Sequence, residues 1–286
     1  MPANLLQTLP IGKALDLMRQ AAVENIGRFC VKLKVATWNV NSVRARMPAI
    51  ARWLEAANPD ILCMQELKAT EEQFPFKEFT DLGYFSSVNG QVRWNGVAVV
   101  SRYPVNRVET DLNGFLTDQK RMIACTVMGI RLINVYVPNG RDVSDPAFLE
   151  KLRYLEELRE YASVSTGPTV ITGDFNVAPG PQDTHSPEEQ NGMVCYHPLE
   201  RQQIAEFALA GYTDVFRKLH PAGKAYSWWD YRAMSWKRNR GMRLDLVLAN
   251  ASAESLITSC DIDSEPRGWE KASDHSPVVF TVVVPE

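Results

Sequence analysis

The sequence predicts an α/β protein built as two β-sheets packed face to face, with helices on the outside. From Lys32 onward, apolar β-branched runs alternate with helical stretches, and several of the runs are apolar on both faces. A strand with no polar face has to be covered on both sides. No repeat, low-complexity tract or linker interrupts the alternation, so residues 32–286 read as one intertwined domain.

Taken in order, the apolar and β-branched enrichment predicts strands over 33–40, 61–66, 96–101, 122–127, 130–137, 169–172, 244–249 and 277–284. Residues 48–57, 146–161 and 198–210 read as helices, each with proline at or near its first turn, where a missing N–H is tolerated. Ahead of them, residues 1–31 carry Lys13, Arg19 and Arg28 against Asp16 and Glu24, with patchy helical periodicity over 11–26. The apolar stretch at 5–9 is too short for a secretory signal, and organellar presequences avoid acids, so a flexible extension is expected.

Composition narrows the class. Apolar residues make up 45% and charged residues 23% of the 286, as in ordinary folded proteins. No run approaches the ~18 apolar residues of a membrane span. The net charge of −3 is not the basic balance of a typical nucleic-acid binder, so any such contact has to come from local basic patches. Cys30, Cys63, Cys125, Cys195 and Cys260 are odd in number, widely spaced and never C-x-x-C, which argues against a disulfide framework or zinc knuckle and for a reducing cytoplasm. No heptad or spare apolar face suggests an oligomer, so a monomer is expected.

The chemistry is written at the strand ends. The run 35–38 leads into Asn39 and Asn41, 61–64 into Gln65 and Glu66, and 170–173 into Asp174 and Asn176. Asp245 lies inside 243–249, and Asp274-His275 precedes the last predicted strand. One polar strand end means only that a turn begins there. The set means more, because ligands in α/β sheets sit at carboxyl ends of strands. Alternation places Asp174 and Asn176 on one face, with Phe175 toward the core, if strand geometry persists. If the carboxylates of Glu66, Asp174, Asp245 and Asp274 converge, they cannot all stay ionised without a cation. Oxygen ligands of this kind suit Mg²⁺ or Mn²⁺ rather than zinc.

Six segments then spell out a family. A-T-W-N-V-N-S-V-R-A-R from Ala36, D-I-L-C-M-Q-E-L-K from Asp60, N-V-Y-V-P-N-G from Asn134, T-G-D-F-N-V-A from Thr172, N-R-G-M-R-L-D-L-V-L from Asn239 and S-D-H-S-P-V from Ser273 together resemble the exonuclease III / abasic (AP) endonuclease family of the endonuclease/exonuclease/phosphatase superfamily. They occur in the family's order and cover roughly Lys32 to Val284. The resemblance implies a four-layered α/β sandwich of two mixed sheets. It also implies a divalent-metal-dependent DNA repair nuclease, acting as 3′–5′ exodeoxyribonuclease, AP endonuclease or both.

The resemblance assigns roles by position. Glu66, with Asn39, is expected to hold Mg²⁺ (or Mn²⁺), in surroundings that include Asp174, Asn176, Asp274 and His275. Asp174 activates water or protonates the leaving oxygen; Asn176 orients it; Tyr136 lies near the leaving group. His275 is expected to donate to a phosphoryl oxygen while Asp245 holds its other nitrogen. Asn139 and Arg141 are expected on DNA phosphate, Trp94 and Arg121 in the minor groove, and Trp228, Met242 and Leu244 around an abasic sugar. Lys68 either steadies the metal-site carboxylates beside the DNA or is a surface lysine; Trp94 is otherwise a loop anchor.

The segment 226–243 favours a DNA duplex, including abasic or 3′-blocked ends, over other phosphodiesters. It interleaves Tyr226, Trp228, Trp229, Tyr231 and Trp236 with Arg232, Lys237, Arg238, Arg240 and Arg243. Such a stretch offers stacking surfaces and phosphate contacts; the plainer reading is an aromatic cluster beneath a solvated charged face. Pro179-Gly180-Pro181 and the loop 184–197 depart from many family members near the substrate groove. A lipid or inositol phosphodiesterase of the same superfamily and a silent DNA-binding relative are the rival readings. The first lacks its lipid-facing loops here, and the second would have lost an acid or the histidine.

Overall fold

The computed structural model describes residues 30–285; the expected extension, apart from Cys30 and Val31, lies outside them. Twelve strands among the described residues form two six-stranded sheets. In the first the order is β11 (Ile257–Ile262), β12 (Val278–Pro285), β1 (Cys30–Asn39), β2 (Ile61–Gln65), β4 (Val97–Ser101) and β3 (Phe85–Asn89). In the second it is β5 (Asn106–Glu109), β6 (Met122–Val127), β7 (Ile130–Tyr136), β8 (Thr169–Asp174), β10 (Asp245–Asn250) and β9 (Tyr212–Asp214). Each sheet holds one parallel pair at its centre, β1 with β2 and β7 with β8, flanked by antiparallel neighbours. The expected four-layered sandwich of mixed sheets is what the chain forms.

The two-faced apolar runs have a direct use. In β1, Leu33 and Val35 enter the core between the sheets, while Ala36 and Trp38 on the other face pack beneath α1 (Val43–Ala57) and α2 (Phe76–Asp81). In β8, Val170 faces the other sheet, and Ile171 faces α3 (Pro146–Ser163) and α4 (Pro198–Leu209). Each fully buried large apolar side chain contributes about 1.5–3 kcal/mol. One polar bridge crosses the inter-sheet core: Gln65 Nε2 donates to Asn134 Oδ1 (2.6 Å) and Thr37 Oγ1 (2.8 Å), and Asn134 Nδ2 donates to the Met64 and Ala98 carbonyls.

Two expectations need correction. Four strands, β3, β5, β9 and β11, escaped the sequence reading, and they are the four sheet edges. Edge strands are partly solvated, so they lack the apolar signal; every residue of β5 is exposed. The first helix begins at Val43, five residues before Pro48. Ser42 Oγ caps it by accepting from the Ala45 amide, and Pro48 sits inside on an exposed face, where its missing N–H leaves only the Arg44 carbonyl without its usual partner. Pro146 and Pro198 do open their helices.

Candidate active site

The topology gathers distant residues at one edge. Asn39 ends β1, Glu66 follows β2, Tyr136 ends β7 and Asp174 ends β8. Because β10 and β12 run antiparallel to β8 and β1, their starting ends reach the same edge, bringing Asp245 opposite Asp174 and His275 just ahead of β12. Carboxyl ends of the central strands thus carry the site.

Local backbone geometry then turns the side chains inward. Asn41, Glu66, Lys68 and Asn176 all adopt left-handed φ values near 50°, a conformation that concentrates at functional sites. Strand alternation therefore stops at Asp174, and Asn176 meets it through a turn instead: its amide N–H donates to Asp174 Oδ1 (2.9 Å) and its Nδ2 to Oδ2 (3.2 Å). Phe175 does enter the core beneath α4. Gly173 precedes Asp174 with φ 138°, and a Cβ there would stand 2.0 Å from the Val135 carbonyl oxygen, so only glycine permits this approach of β7 and β8.

Hydrogen bonds fix the orientation of each group. The Asn41 amide N–H donates to Asn39 Oδ1, which forces Asn39 Nδ2 toward Glu66 Oε1 and Asp174 Oδ2, both at 2.9 Å. Asn176 is turned likewise, since its Nδ2 also donates to the Val137 carbonyl and its Oδ1 accepts from Asn139 Nδ2. Lys68 Nζ bridges Glu66 Oε2 (2.8 Å) and Asn41 Oδ1 (2.6 Å), and Asn41 Nδ2 donates to Asp274 Oδ1 (2.9 Å). Trp228 Nε1 holds the other Asp274 oxygen at 3.1 Å. His275 Nδ1 lies 2.8 Å from Asp245 Oδ2, and its Nε2 lies 3.6 Å from Asp174 Oδ2.

The electrostatics follow from burial and crowding. Burial opposes a charged His275, but Asp245 and Asp174 outweigh it and lift its pKa to about 10, so the ring is an imidazolium at neutral pH. Burial pushes Asp174 up to about 7, with Asp245 and Glu66 adding to the rise and His275 opposing it. Burial and the Glu66 and Asp174 carboxylates keep Tyr136 a neutral phenol. Asp274 is also opposed by burial, yet His275 and its donors hold it below the usual carboxylate range.

Four acids thus face two cations, Lys68 and His275, and Asp245 Oδ1 is buried without a hydrogen-bond partner. Asp174, Asp245 and His275 bring ligand atoms within 4.8 Å of one another. A surplus of buried carboxylate oxygen suits a hard divalent ion. Of these groups, Glu66 and Asp274 present their carboxylates to an open pocket of about 660 Å³.

That pocket is lined by Glu66, Tyr136, Asn139, Asn176, Asp274 and His275 together with Trp228, Met242 and Leu244. Trp94, Arg121, Asn139 and Arg141 line an adjoining groove of about 420 Å³, where Trp94 is exposed and Arg121 stacks 4.8 Å from the Tyr136 ring. Lys68 is a brace for Glu66 and Asn41. The aromatic–basic segment divides. Tyr226 and Trp229 are buried, and Trp229 packs edge-on with Trp236, so this part is a stabilising cluster. Arg243 is buried against Asp183 and Asp214 and offers DNA nothing. Tyr231, Arg232, Lys237, Arg238 and Arg240 remain exposed.

Several supports were missed. Lys151 and Glu200, both fully buried, form an ion pair. Lys151 Nζ also donates to the Asn139 and Asn176 carbonyls, while Glu200 accepts from the Cys195 and His197 amides. One pair thereby ties three loops of the pocket. Helical lysines usually face solvent, so nothing in the sequence singles Lys151 out. Ser273, whose Oγ donates to the Asn39 carbonyl, stood in a motif and Asn41 at a strand end, but neither was given a role.

Buried acids short of positive charge beside an imidazolium and a neutral tyrosine define a phosphoester hydrolase site. The Endonuclease/Exonuclease/phosphatase family model matches residues 36–275. The chain belongs to that family, within its exonuclease III / AP endonuclease group. It is 31% identical over 265 residues to exodeoxyribonuclease III of Haemophilus influenzae, covering 86% of this chain and 98% of that one. It is 30% identical to an exodeoxyribonuclease of Bacillus subtilis, covering 87% and 99%. Among solved structures, a Neisseria 3′ phosphatase bound to a product DNA hairpin superposes with a TM-score of 0.85 at 36% identity, over 87% of this chain and 99% of the other. An AP endonuclease from Archaeoglobus fulgidus gives 0.84 at 37%, again over 87% and 99%.

Proposed function

We propose that this protein is a DNA repair nuclease that uses a divalent cation, Mg²⁺ or Mn²⁺, to hydrolyse phosphodiester bonds in duplex DNA. It acts as a 3′–5′ exodeoxyribonuclease, as an AP endonuclease, or as both, on abasic sites and 3′-blocked ends. The observation that carries this is the meeting of Glu66, Asp274 and His275 at one pocket also walled by Trp228, Met242 and Leu244, with Asp174 buried behind them 2.9 Å from Asn39 and 3.6 Å from His275. A base-free sugar fits such a wall more readily than a flipped nucleotide.

The residues divide the work. Asp174, braced by Asn39 and Asn176, takes a proton from the attacking water or delivers one to the leaving oxygen. His275, kept charged and aligned by Asp245, donates from Nε2 to a phosphoryl oxygen. Tyr136 offers a phenolic O–H beside the leaving group, and Asn139 and Arg141 face the phosphate backbone. Glu66 and Asp274 would hold the cation, with Asn39, Asp174, Asn176 and His275 as neighbouring residues. When bound, that ion neutralises phosphoryl charge and steadies the charge that develops during displacement.

The relatives named for exodeoxyribonuclease, 3′ phosphatase and AP endonuclease activities support a DNA substrate. No helix of the described residues is long and apolar enough to cross a membrane, and Cys63, Cys125, Cys195 and Cys260 are buried thiols. A cytoplasmic monomer with a single catalytic domain over 32–286 fits this reading. The test is hydrolysis of abasic duplex, blunt duplex, 3′-phosphorylated duplex and a lipid phosphodiester, with and without chelator. We expect chelator-sensitive cleavage of the DNA substrates. Chelator-resistant cleavage, or cleavage of lipid alone, overturns the proposal.

A further inference from the structure

Most buried cations in this protein are matched to acids. Arg243 has Asp183 and Asp214, and Lys151 has Glu200. Arg267 is different. It is only 8% exposed, its Nη2 donates to the Trp229 carbonyl, and its Nε has no partner. Its guanidinium rests between the Tyr231 ring, at 5.2 Å, and the Trp236 ring, at 5.7 Å. No ion pair engages it among the described residues.

Arg267 lines a cavity of about 400 Å³ together with Arg46, Lys271, Tyr231 and Trp269, and no acid lines it. Arg46 points Nη2 at the Tyr231 hydroxyl (3.2 Å) and leaves its own Nε buried and unpartnered. Three cations therefore line a space walled by the Tyr231 and Trp269 rings, with no acid among its lining residues. Planar guanidinium groups match phosphate oxygens well.

The cavity adjoins the catalytic pocket. The Tyr231 hydroxyl accepts from Asn41 Nδ2, which also holds Asp274, and the next residue, Arg232, lines the catalytic pocket itself. A polyanionic strand seated at Glu66 and His275 has this cavity beside it. We propose that Arg46, Arg267 and Lys271 form a second phosphate subsite. It takes a backbone phosphodiester of the substrate strand away from the scissile bond, with the adjoining sugar and base against Tyr231 and Trp269. The inference rests on the nuclease reading and adds to it a place where the strand is gripped.

The test reads binding apart from turnover. Fluorescence anisotropy of a labelled duplex is measured with chelator across roughly 50–200 mM salt for the wild type, Arg46→Ala, Lys271→Ala and Arg267→Met. Each variant is expected to bind about tenfold more weakly at the lowest salt and to lose about 0.9 from the log–log salt slope. Arg267→Met removes a buried side chain, so its far-UV spectrum and melting are checked. The other two variants carry the test if it misfolds. A duplex bearing neutral methylphosphonates along the strand next to the scissile bond is expected to bind wild type and Arg46→Ala alike. Unchanged salt slopes in Arg46→Ala and Lys271→Ala overturn the subsite. So does a methylphosphonate duplex that still separates the variants, or inorganic phosphate that binds wild type while the methylphosphonates make no difference. Wild-type enzyme that cleaves no duplex with Mg²⁺ overturns the nuclease reading instead, and the salt slopes judge the subsite independently.

Discussion

Two clusters of buried charge in this molecule are separated in the chain by Leu244 alone, and they are built in opposite ways. On one side, Arg243 and Arg217 face Asp183 and Asp214 at 2.6–2.7 Å, two cations against two acids. On the other, Asp245 joins Asp174, Glu66 and Asp274 against Lys68 and His275, four acids against two cations. The balanced cluster fastens the loop after β8 to the start of β10. The unbalanced one leaves carboxylate oxygen that the cation proposed above would neutralise. Balance marks a structural part and imbalance a chemical one, although both are made of the same residue types.

The sharpest break comes at Asp174. Replacing it with Asn keeps the shape but removes the proton acceptor, so turnover on abasic duplex is expected to fall by about 10²–10⁴ while duplex affinity stays within a few-fold. Steady-state rates and anisotropy on the same preparation check this, and unchanged turnover would end Asp174's assigned role. Next in size is the balanced cluster. Arg243→Met leaves Asp214 without its cation and Asp183 with Arg217 alone, and is expected to cost about 3–5 kcal/mol in urea unfolding. A loss under 1 kcal/mol, roughly that of a surface pair, would show that the network holds nothing.

The third effect separates the two clusters directly. Magnesium at about 100 times its Kd is expected to stabilise the folded state by about 2.7 kcal/mol, because it binds only the folded site. Glu66→Gln should abolish most of that thermal shift, and Arg243→Met should leave it intact. A magnesium shift that survives in Glu66→Gln places the ion elsewhere.

The smallest effect is in acid. Burial works against an ionised Asp183, but Arg243 and Arg217 hold its pKa below the usual carboxylate range. A depressed acid contributes stability that is present above its unfolded pKa and lost as pH falls through the folded one. The stability gap between wild type and Asp183→Asn should therefore be full above about pH 4 and close below it. A gap that does not change with pH would mean that Asp183 acts through packing alone.

Much of this was legible in the chain. The central strands announced themselves because each is buried on both faces, as at Leu33, Val35, Ala36 and Trp38. The site acids were visible because they follow apolar runs, and their motifs stood in the order of a known family. The four edge strands were invisible, since a solvated edge such as β5 carries no apolar requirement. Arg243 was read with the neighbouring surface arginines, because a guanidinium in sequence does not show which acid it will meet. Lys151 and Glu200 lie 49 residues apart, and no local pattern links them.

By itself, the sequence determined the eight inner strands, which residue types end them, and hence that acids, amides and one histidine would stand at the edge of a sheet. Periodicity and burial act locally, so they can be read locally. Only the tertiary structure decided which charges are neutralised and which are left wanting a cation. That outcome depends on distances between side chains tens to hundreds of residues apart, and electrostatic energy follows distance and burial, not position along the chain.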